Sequence, residues 1–427
     1  MSNQKQRSIF AGAALAGLTL AVMYWRRRRQ QQRSDELAVL SLIDATPIMG
    51  QEKYLGGVAG SDGCIYGIPG HARRVLKIDP ETDEVSFIGD EYVGKYKWLR
   101  GVLASDGCVY GIPCHADRVL KINPKTQEVT TFGGPWPGNW KWHGGVVAGD
   151  GCIYGIPQMH EQVLKVNVAT QECTLIGGPF PGKNKWYGGL LSPIDGNIYG
   201  ICQNATSVLK INVATQECSE LGSFPEGGFK WHGGNVGIDG NVYGVPCHAD
   251  SILKVDVATG TVTTVGAGKL VPGKKRPDGK YKFLGGVNGS DGNIYFMPAD
   301  SDFVTKLDPR TGEVACIGAS LEGEERNHTK WQNGFLGQDG RIYGIPHCGR
   351  SVVVVDITTQ EVTTLPLPPN CTSLGKWEGG ALGENGTFYC MPMGHKQVLK
   401  IAPLLPANGI SRGETGRGGW GGGRGHD

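Results

Sequence analysis

One passage of sequence is written eight times between Tyr54 and Lys400. It reads Lys, an aromatic, Gly-Gly, an Asp-Gly turn, Ile-Tyr-Gly-Ile-Pro, a short polar loop, Val-Leu-Lys-Ile-Asp, a turn, and Glu-Val-Thr-Thr-Ile-Gly. Asp62, Asp106, Asp150, Asp195, Asp239, Asp291 and Asp339 mark its register, with Asn385-Gly386 as the eighth mark. A period of roughly forty-four to fifty-two residues is that of a self-stacking unit. Within one unit, Gly145 to Val147, Cys152 to Ile156, Val163 to Asn167 and Glu172 to Ile176 are short runs rich in β-branched and aromatic residues. Turn residues separate them, so each unit predicts four antiparallel strands.

Four-stranded units repeated radially make an all-β propeller, whose blades bury both sheet faces against their neighbours. The eighth unit stops at Ala402-Pro403, before its Glu-Val-Thr-Thr strand. Upstream of the first unit, Leu37 to Ile43 is an apolar run with no partner of its own. It supplies the missing strand and predicts a ring of eight blades closed by the two chain ends. Seven is the alternative if one unit is irregular, and unit six, whose entry loop is stretched over Ala267 to Asp278, is where that would occur.

The propeller takes residues 37–403 of the 427, leaving two ends of different character. After a short segment of residues 1–8, Ile9 to Trp25 is apolar and uncharged, and a basic linker over 26–36 begins with Arg26-Arg27-Arg28-Arg29. A helix over this run reaches about 25 Å, the short end of what crosses a bilayer. The larger charge follows the apolar run, with only Lys5 and Arg7 before it, which favours a signal anchor over a cleaved signal. The arginine excess after the span places the propeller in the cytosol by the positive-inside bias. A mitochondrial or plastid targeting segment and a secretory signal are the alternatives. Residues 404–427 form a Gly/Arg-rich tail that cannot build a core and reads as disordered.

A net charge of +2 gives no general pull toward nucleic acid. The twelve cysteines are even in number, yet Cys64, Cys108 and Cys152 occupy equivalent places in successive units. Equivalent positions on neighbouring blades lie too far apart to bridge, since a disulfide needs Cα atoms within about 7 Å. The cysteines therefore read as reduced and buried, as in a reducing compartment. Sequons at Asn204, Asn288, Asn327, Asn370 and Asn385 matter only if the propeller is lumenal.

Function is sought where the repeat varies. The loop entering the innermost strand and the loop joining the second and third strands share one rim of a propeller. The entry loops carry Lys53-Tyr54, Lys97-Trp98, Lys141-Trp142, Lys185-Trp186, Lys230-Trp231, Lys282-Phe283, Lys330-Trp331 and Lys376-Trp377. Eight lysines make either an electropositive collar for an anionic ligand or, as a residue kept in every blade suggests, a packing device at the blade junctions. The residue after each aromatic varies: Leu55, Leu99, His143, Tyr187, His232, Leu284, Gln332 and Glu378. His143, His232 and Glu378 are candidates for acid–base chemistry or for holding a divalent metal. A second variable series follows each Ile-Pro step: His71, His115, Met159, Asn204, His248, Asp300, Cys348 and Gly394. Lys141, Trp142, Tyr187, Lys230, Trp231, Gln332, His71, His115, Asn204 and His248 are the residues expected to present a binding rim to a protein or an anionic small molecule.

On Ile-Tyr-Gly-Ile-Pro and the Val-Leu-Lys-Ile-Asn-Pro-Lys-Thr-Gln-Glu-Val-Thr run the chain resembles propeller repeats with a Tyr-Val-Thr-Asn-like second strand. It is also similar to the streptogramin-lyase-type repeat, which shares the Asp-Gly-x-Ile-Tyr step and the Ile-Asp-x-x-Thr-Gly turn. Kelch repeats share the Gly-Gly step, with the aromatic differently placed. The resemblance covers most of Tyr54 to Ile401 and implies the fold. Two functions follow as expectations: a membrane-anchored interaction or ligand-binding propeller, and, as the alternative, a lyase or lactone-hydrolase-type enzyme with a metal or acid–base site at the channel mouth.

Overall fold

The computed structural model describes residues 37–405. They form eight four-stranded antiparallel sheets, each ordered from an innermost to an outermost strand. Blade 3, for example, comprises Trp142–Val147, Cys152–Pro157, Val163–Asn167 and Cys173–Ile176. Unit six, despite its long entry loop, keeps all four strands, from Phe283–Asn288 to Val314–Ile317. Eight is therefore the blade number. The ring closes as the sequence implies: Ala38–Leu42 pairs antiparallel with Leu399–Pro403 and becomes the outer strand of blade 8. Tyr343 of blade 7 donates its hydroxyl to the Leu37 carbonyl at 3.2 Å, and the Leu404 N–H does so at 2.9 Å, fixing the strand's first turn. The apolar run Ile9–Trp25 and the Gly/Arg-rich tail beyond Leu405 lie outside the described residues, among which no helix is long and apolar enough to cross a membrane.

The core is an annulus between blades. One cluster joins Tyr66, Ile68 and Val75 of blade 1 to Trp98, Val109 and Leu120 of blade 2. Neighbouring blades approach so closely that a Cβ on Gly145 would stand 2.6 Å from the Ile112 side chain of the preceding blade. The second glycine of the Gly-Gly step is thus a packing requirement. The second-strand tyrosines are fully buried, and seven donate their hydroxyls at 2.7–2.8 Å to the aspartate of their own Asp-Gly turn. In blade 8 the turn residue is Asn385, whose amide donates to the Tyr389 hydroxyl at 3.0 Å. A ring buried with its polar tip satisfied combines apolar burial with no desolvation penalty. All twelve cysteines are free, and Cys64, Cys108 and Cys152 are buried at equivalent places.

Each Lys-aromatic pair works at a blade junction. The lysine N–H donates to the carbonyl one residue past the second-strand proline (or its equivalent) of the preceding blade, and the lysine carbonyl accepts from the same position of its own blade. Lys141, for instance, takes the Cys114 carbonyl and gives its own to Gln158. The pattern holds in all eight blades, with Lys53 bonded to Met393, so a closed circle of peptide hydrogen bonds runs around the mouth of the channel. The ammoniums repeat the connection. Lys97 donates to the carbonyls of Gly70, Ala72 and Gly94, and Lys141 to those of Cys114 and Gly138. Burial pulls the ammoniums of Lys97 and Lys141 down to about 8. The indoles of Trp142 and Trp231 donate to Gln162 and Ser251 carbonyls within their own blades.

Lys141→Met keeps the stem and removes the ammonium, leaving the Gly138 carbonyl without that donor and Cys114 with one fewer. It is expected to cost about 2 kcal/mol of stability, measured by urea unfolding; an unchanged midpoint would show that the ammonium contributes nothing there.

Candidate functional site at the channel mouth

The residue after each aromatic sits on a β-bulge. In blade 3, Trp142 pairs with Pro157 and Gly145 with Gly155, so His143 and Gly144 together oppose one residue. A bulge of this kind re-aims a side chain, here toward the channel. Gly144, Gly188, Gly233, Asn333 and Gly379 are left-handed, with φ between 63° and 72°. These five belong to the blades that carry His143, Tyr187, His232, Gln332 and Glu378. The blades with Leu55, Leu99 and Leu284 have Gly56 at φ 159° and no left-handed residue at Arg100 or Gly285. Bulge conformation and side-chain chemistry therefore change together around the ring.

Three rings in consecutive blades form a continuous stack. The centroid of Tyr187 lies 3.7 Å from that of His143 on one side and 3.7 Å from that of His232 on the other. On the far side, Gln332 donates to Glu378 at 2.8 Å. Arg100, one residue beyond Leu99, enters the channel between these groups, with its guanidinium carbon 6.0 Å from the Tyr187 ring centroid. Burial holds the His232 imidazole down to about 3 with Arg100 acting in the same direction, and burial and Arg100 hold His143 well below its ordinary value. Both imidazoles are neutral at physiological pH. Burial pushes Glu378 up to about 7 against the pull of Arg100. The channel mouth thus contains one carboxyl that titrates near neutrality.

A second tier lies just above, at the position following the second-strand proline: Gly70, Cys114, Gln158, Gln203, Cys247, Ala299, His347 and Met393, with Cys202 in the proline's place in blade 4. The hydrogen-bonded circle fixes this tier. Its apolar members pack with the leucines: Cys114 and Met393 with Leu55 and Leu99, and Cys247 and Ala299 with Leu284. The result is a vestibule with distinct walls. Leu55, Leu99, Cys114 and Met393 make one apolar wall and Leu284, Cys247 and Ala299 another. Blades 3 to 5 carry His143, Gln158, Tyr187, Gln203 and His232, and blades 7 and 8 carry Gln332, His347 and Glu378. A recess of about 400 Å³ opens beside the last group, lined by Glu52, His347, Cys348, Gly375, Glu378 and Met393 among others.

The rim above is built on strain. The residue before each rim lysine is left-handed in every blade: Glu52, Tyr96, Trp140, Asn184, Phe229, Tyr281, Thr329 and Gly375 have φ between 45° and 62°. A bulky side chain at such φ is an outlier and costs about 1 kcal/mol or more. Each of these carbonyls accepts the N–H two residues past the proline position of its own blade. The side chains reach the next blade, with His71 edge-on to Tyr96 at 4.3 Å, His115 to Trp140 at 4.7 Å and His248 to Tyr281 at 4.5 Å.

Of the residues singled out from the sequence, the structure brings Tyr187 and Gln332 to the channel with His143, His232 and Glu378. His71, His115 and His248 stand at the rim, and the Asn204 side chain is spent on the Phe229 N–H. Lys141, Trp142, Lys230 and Trp231 are buried in the blade junctions, so their charge and rings face backbone carbonyls and packing. The proposed metal trio does not assemble as a ligand set: Tyr187 separates the two imidazoles. Among the described residues no group of three or more His, Cys, Asp or Glu could hold a metal ion. Sequence reasoning missed Arg100, although it breaks the Gly-Gly step, as Asn333 does. It also missed Gln158 and Gln203, whose tier varies one place before the series chosen, with His347 noted only as lying one place off that series.

No protein-family model matches the chain, and no curated protein does. Among solved structures, a streptogramin B lyase aligns with a TM-score of 0.56 at 13% identity, over 86% of this chain and 98% of that one. A catalytically inactive virginiamycin B lyase from Staphylococcus aureus, solved with quinupristin, gives 0.54 at 13% identity over 71% and 94%. A protein from Lactobacillus plantarum gives 0.51 at 15% identity over 74% and 96%. At such identities the likeness is one of fold alone.

Glu378 supplies a pH test. Its folded pKa lies above that of the unfolded chain, so its contribution to stability is fully present below about 4.5 and is lost as pH rises through about 7. Glu378→Gln is expected to gain on the wild type by on the order of 2 kcal/mol between pH 4.5 and 8, read as the difference between paired urea unfolding curves; a difference that stays flat with pH would contradict a buried, raised carboxyl.

Proposed function

We propose that this protein is a membrane-anchored propeller that binds a small anionic ligand in the vestibule at its channel mouth. One observation carries the reading. A ring position filled by leucine in three blades is filled in five others by His143, Tyr187, His232, Gln332 and Glu378, and Arg100 acts electrostatically on four of these five. Packing alone would be served by leucine throughout. Polar groups converging on a guanidinium, with His143 and Gln332 buried and Tyr187, His232 and Glu378 half-buried, lose hydration that a polar ligand can restore. The recessed position favours a small molecule over a protein partner. The anchor rests on the apolar run Ile9–Trp25 and the arginines behind it.

The acid–base alternative has support of its own in Glu378. A carboxyl poised near neutrality beside an amide and a guanidinium is suited to moving a proton, so a bound ligand that is consumed in a Glu378-dependent manner would favour a lyase or lactone-hydrolase-type reaction.

A metabolite library screened by thermal shift, wild type against Arg100→Gln, is expected to return anions that raise the midpoint by several degrees in the wild type and by less than half as much in the variant. If no compound discriminates between the two proteins, the vestibule is not the binding site. In cells, the full chain is expected to resist carbonate extraction and a chain starting at residue 37 to be released; release of both would remove the anchor.

A further inference from the structure

Three side chains in the polar wall of the vestibule are more than nine-tenths buried and have a polar atom without a partner: Nδ1 of His143, Oε1 of Gln158 and Oε1 of Gln203. They come from adjacent blades. Gln158 occupies in blade 3 the place that Cys114 occupies in blade 2, where the cysteine packs against Leu55, Leu99 and Met393 at the channel. By the same register Gln203 belongs between Tyr187 and His232. An orphaned buried acceptor forfeits its hydration, and in folded proteins such atoms are rare enough that each calls for a reason. Here three orphans share one wall, and the amide nitrogen of Gln158 is turned away to Oδ1 of the Asn184 side chain at 3.4 Å.

We infer that the vestibule binds a sugar acid, a small ring bearing several hydroxyls and a carboxylate, with its hydroxyls on His143, Gln158 and Gln203 and its carboxylate toward Arg100. This rests on the reading of the vestibule as a small-ligand site and specifies the chemistry of the ligand.

Each element of the class answers a feature of the site. The orphaned atoms include two amide carbonyls, which only accept, so the ligand must donate from neighbouring positions of its edge. Ammonium donors are disfavoured by the guanidinium and by the ring of lysine ammoniums behind the walls, which also favour an anion. A flat heteroaromatic ring finds no open face at the centre of the wall, because both faces of Tyr187 are covered at 3.7 Å by imidazoles. Hydroxyls, which rotate to suit an acceptor, remain. Beside them, Tyr96 and Trp140 pack over Leu55, Leu99, Cys114 and Met393 and are themselves only half-buried. That surface suits the C–H face of a saturated ring. Glu378, close to half-ionised at neutrality, can accept from or donate to a further hydroxyl.

The test is isothermal titration of the full chain, purified in detergent, with D-glucuronate and D-galacturonate as probes. D-Glucose, acetate, benzoate and inorganic phosphate serve as controls. At least one uronate is expected to bind at least tenfold more tightly than glucose or acetate. Arg100→Gln is expected to bring the uronate to the level of glucose. Gln158→Leu and Gln203→Leu are each expected to weaken uronate binding about tenfold while leaving the thermal midpoint of the unliganded protein unchanged or raised. The midpoint separates a lost ligand contact from a damaged fold. Benzoate or phosphate binding as tightly as either uronate would overturn the class in favour of a plain anion site, and so would uronate affinity that is indifferent to both glutamine variants. If neither uronate binds while the library screen returns other Arg100-dependent anions, the sugar-acid class fails and the vestibule reading stands. If neither experiment yields a ligand, both fall.

Discussion

A circle of peptide hydrogen bonds holds this molecule in register. Each rim lysine binds backward to the preceding blade and forward to its own second strand, and the circle has no end because Lys53 meets Met393. A sheet edge at each blade would otherwise leave the mouth of the channel as loosely tied loops. The lysine side chains reinforce the same seam by placing ammoniums on the carbonyls that the turns leave over. Charge is normally expensive to bury, and it is accepted here because ammoniums such as those of Lys53, Lys97 and Lys376 find two or three backbone acceptors at once, while that of Lys330 faces Asp302. Everything that lines the vestibule hangs from this circle, so the side chains of the upper tier are positioned by backbone rather than by loop packing.

That arrangement explains which parts of the protein were legible in the sequence. Strand number, blade number and ring closure follow from periodicity, because a repeat with period-2 strands and a missing last strand has one economical solution. The lysines, kept in every unit, read correctly as junction residues under the packing alternative, and their burial shows why they cannot vary. The site was less legible. The series beginning at His71 was visible because histidine draws the eye, yet the tier one residue earlier, with Gln158 and Gln203, is the one that the hydrogen-bonded circle turns toward the channel. Which of two adjacent loop residues faces inward depends on the left-handed residue before the lysine of the same blade, such as Trp140 or Tyr281, whose carbonyl takes the N–H of the later one, and no local propensity announces that conformation. Arg100 left a mark in the sequence, as a broken Gly-Gly step, but its meaning depends on a bulge conformation that becomes evident only beside the other seven blades.

The asymmetry of the vestibule is superimposed on a symmetric frame. Five bulges adopt the left-handed form and carry polar groups, while three depart from it and carry leucine. A repeat protein can specialise a few blades in this manner without disturbing the rest, because each blade contacts only its neighbours. The stack of His143, Tyr187 and His232 shows how far the specialisation goes. Three adjacent blades contribute one aromatic ring each, spaced so that the rings support one another and keep both imidazoles neutral beside a guanidinium.

The outer strand of blade 8 has a directional consequence. The Leu37 carbonyl is held by Tyr343, whose hydroxyl is also bound to Asp339 in an Asp-Gly turn, and Leu404 is tied to the same carbonyl. The described chain therefore begins and ends at the rim of the Asp-Gly turns, the rim opposite the vestibule. Residue 37 and the vestibule therefore stand on opposite rims of the ring, so a solute reaching the mouth does not pass the strand that closes it.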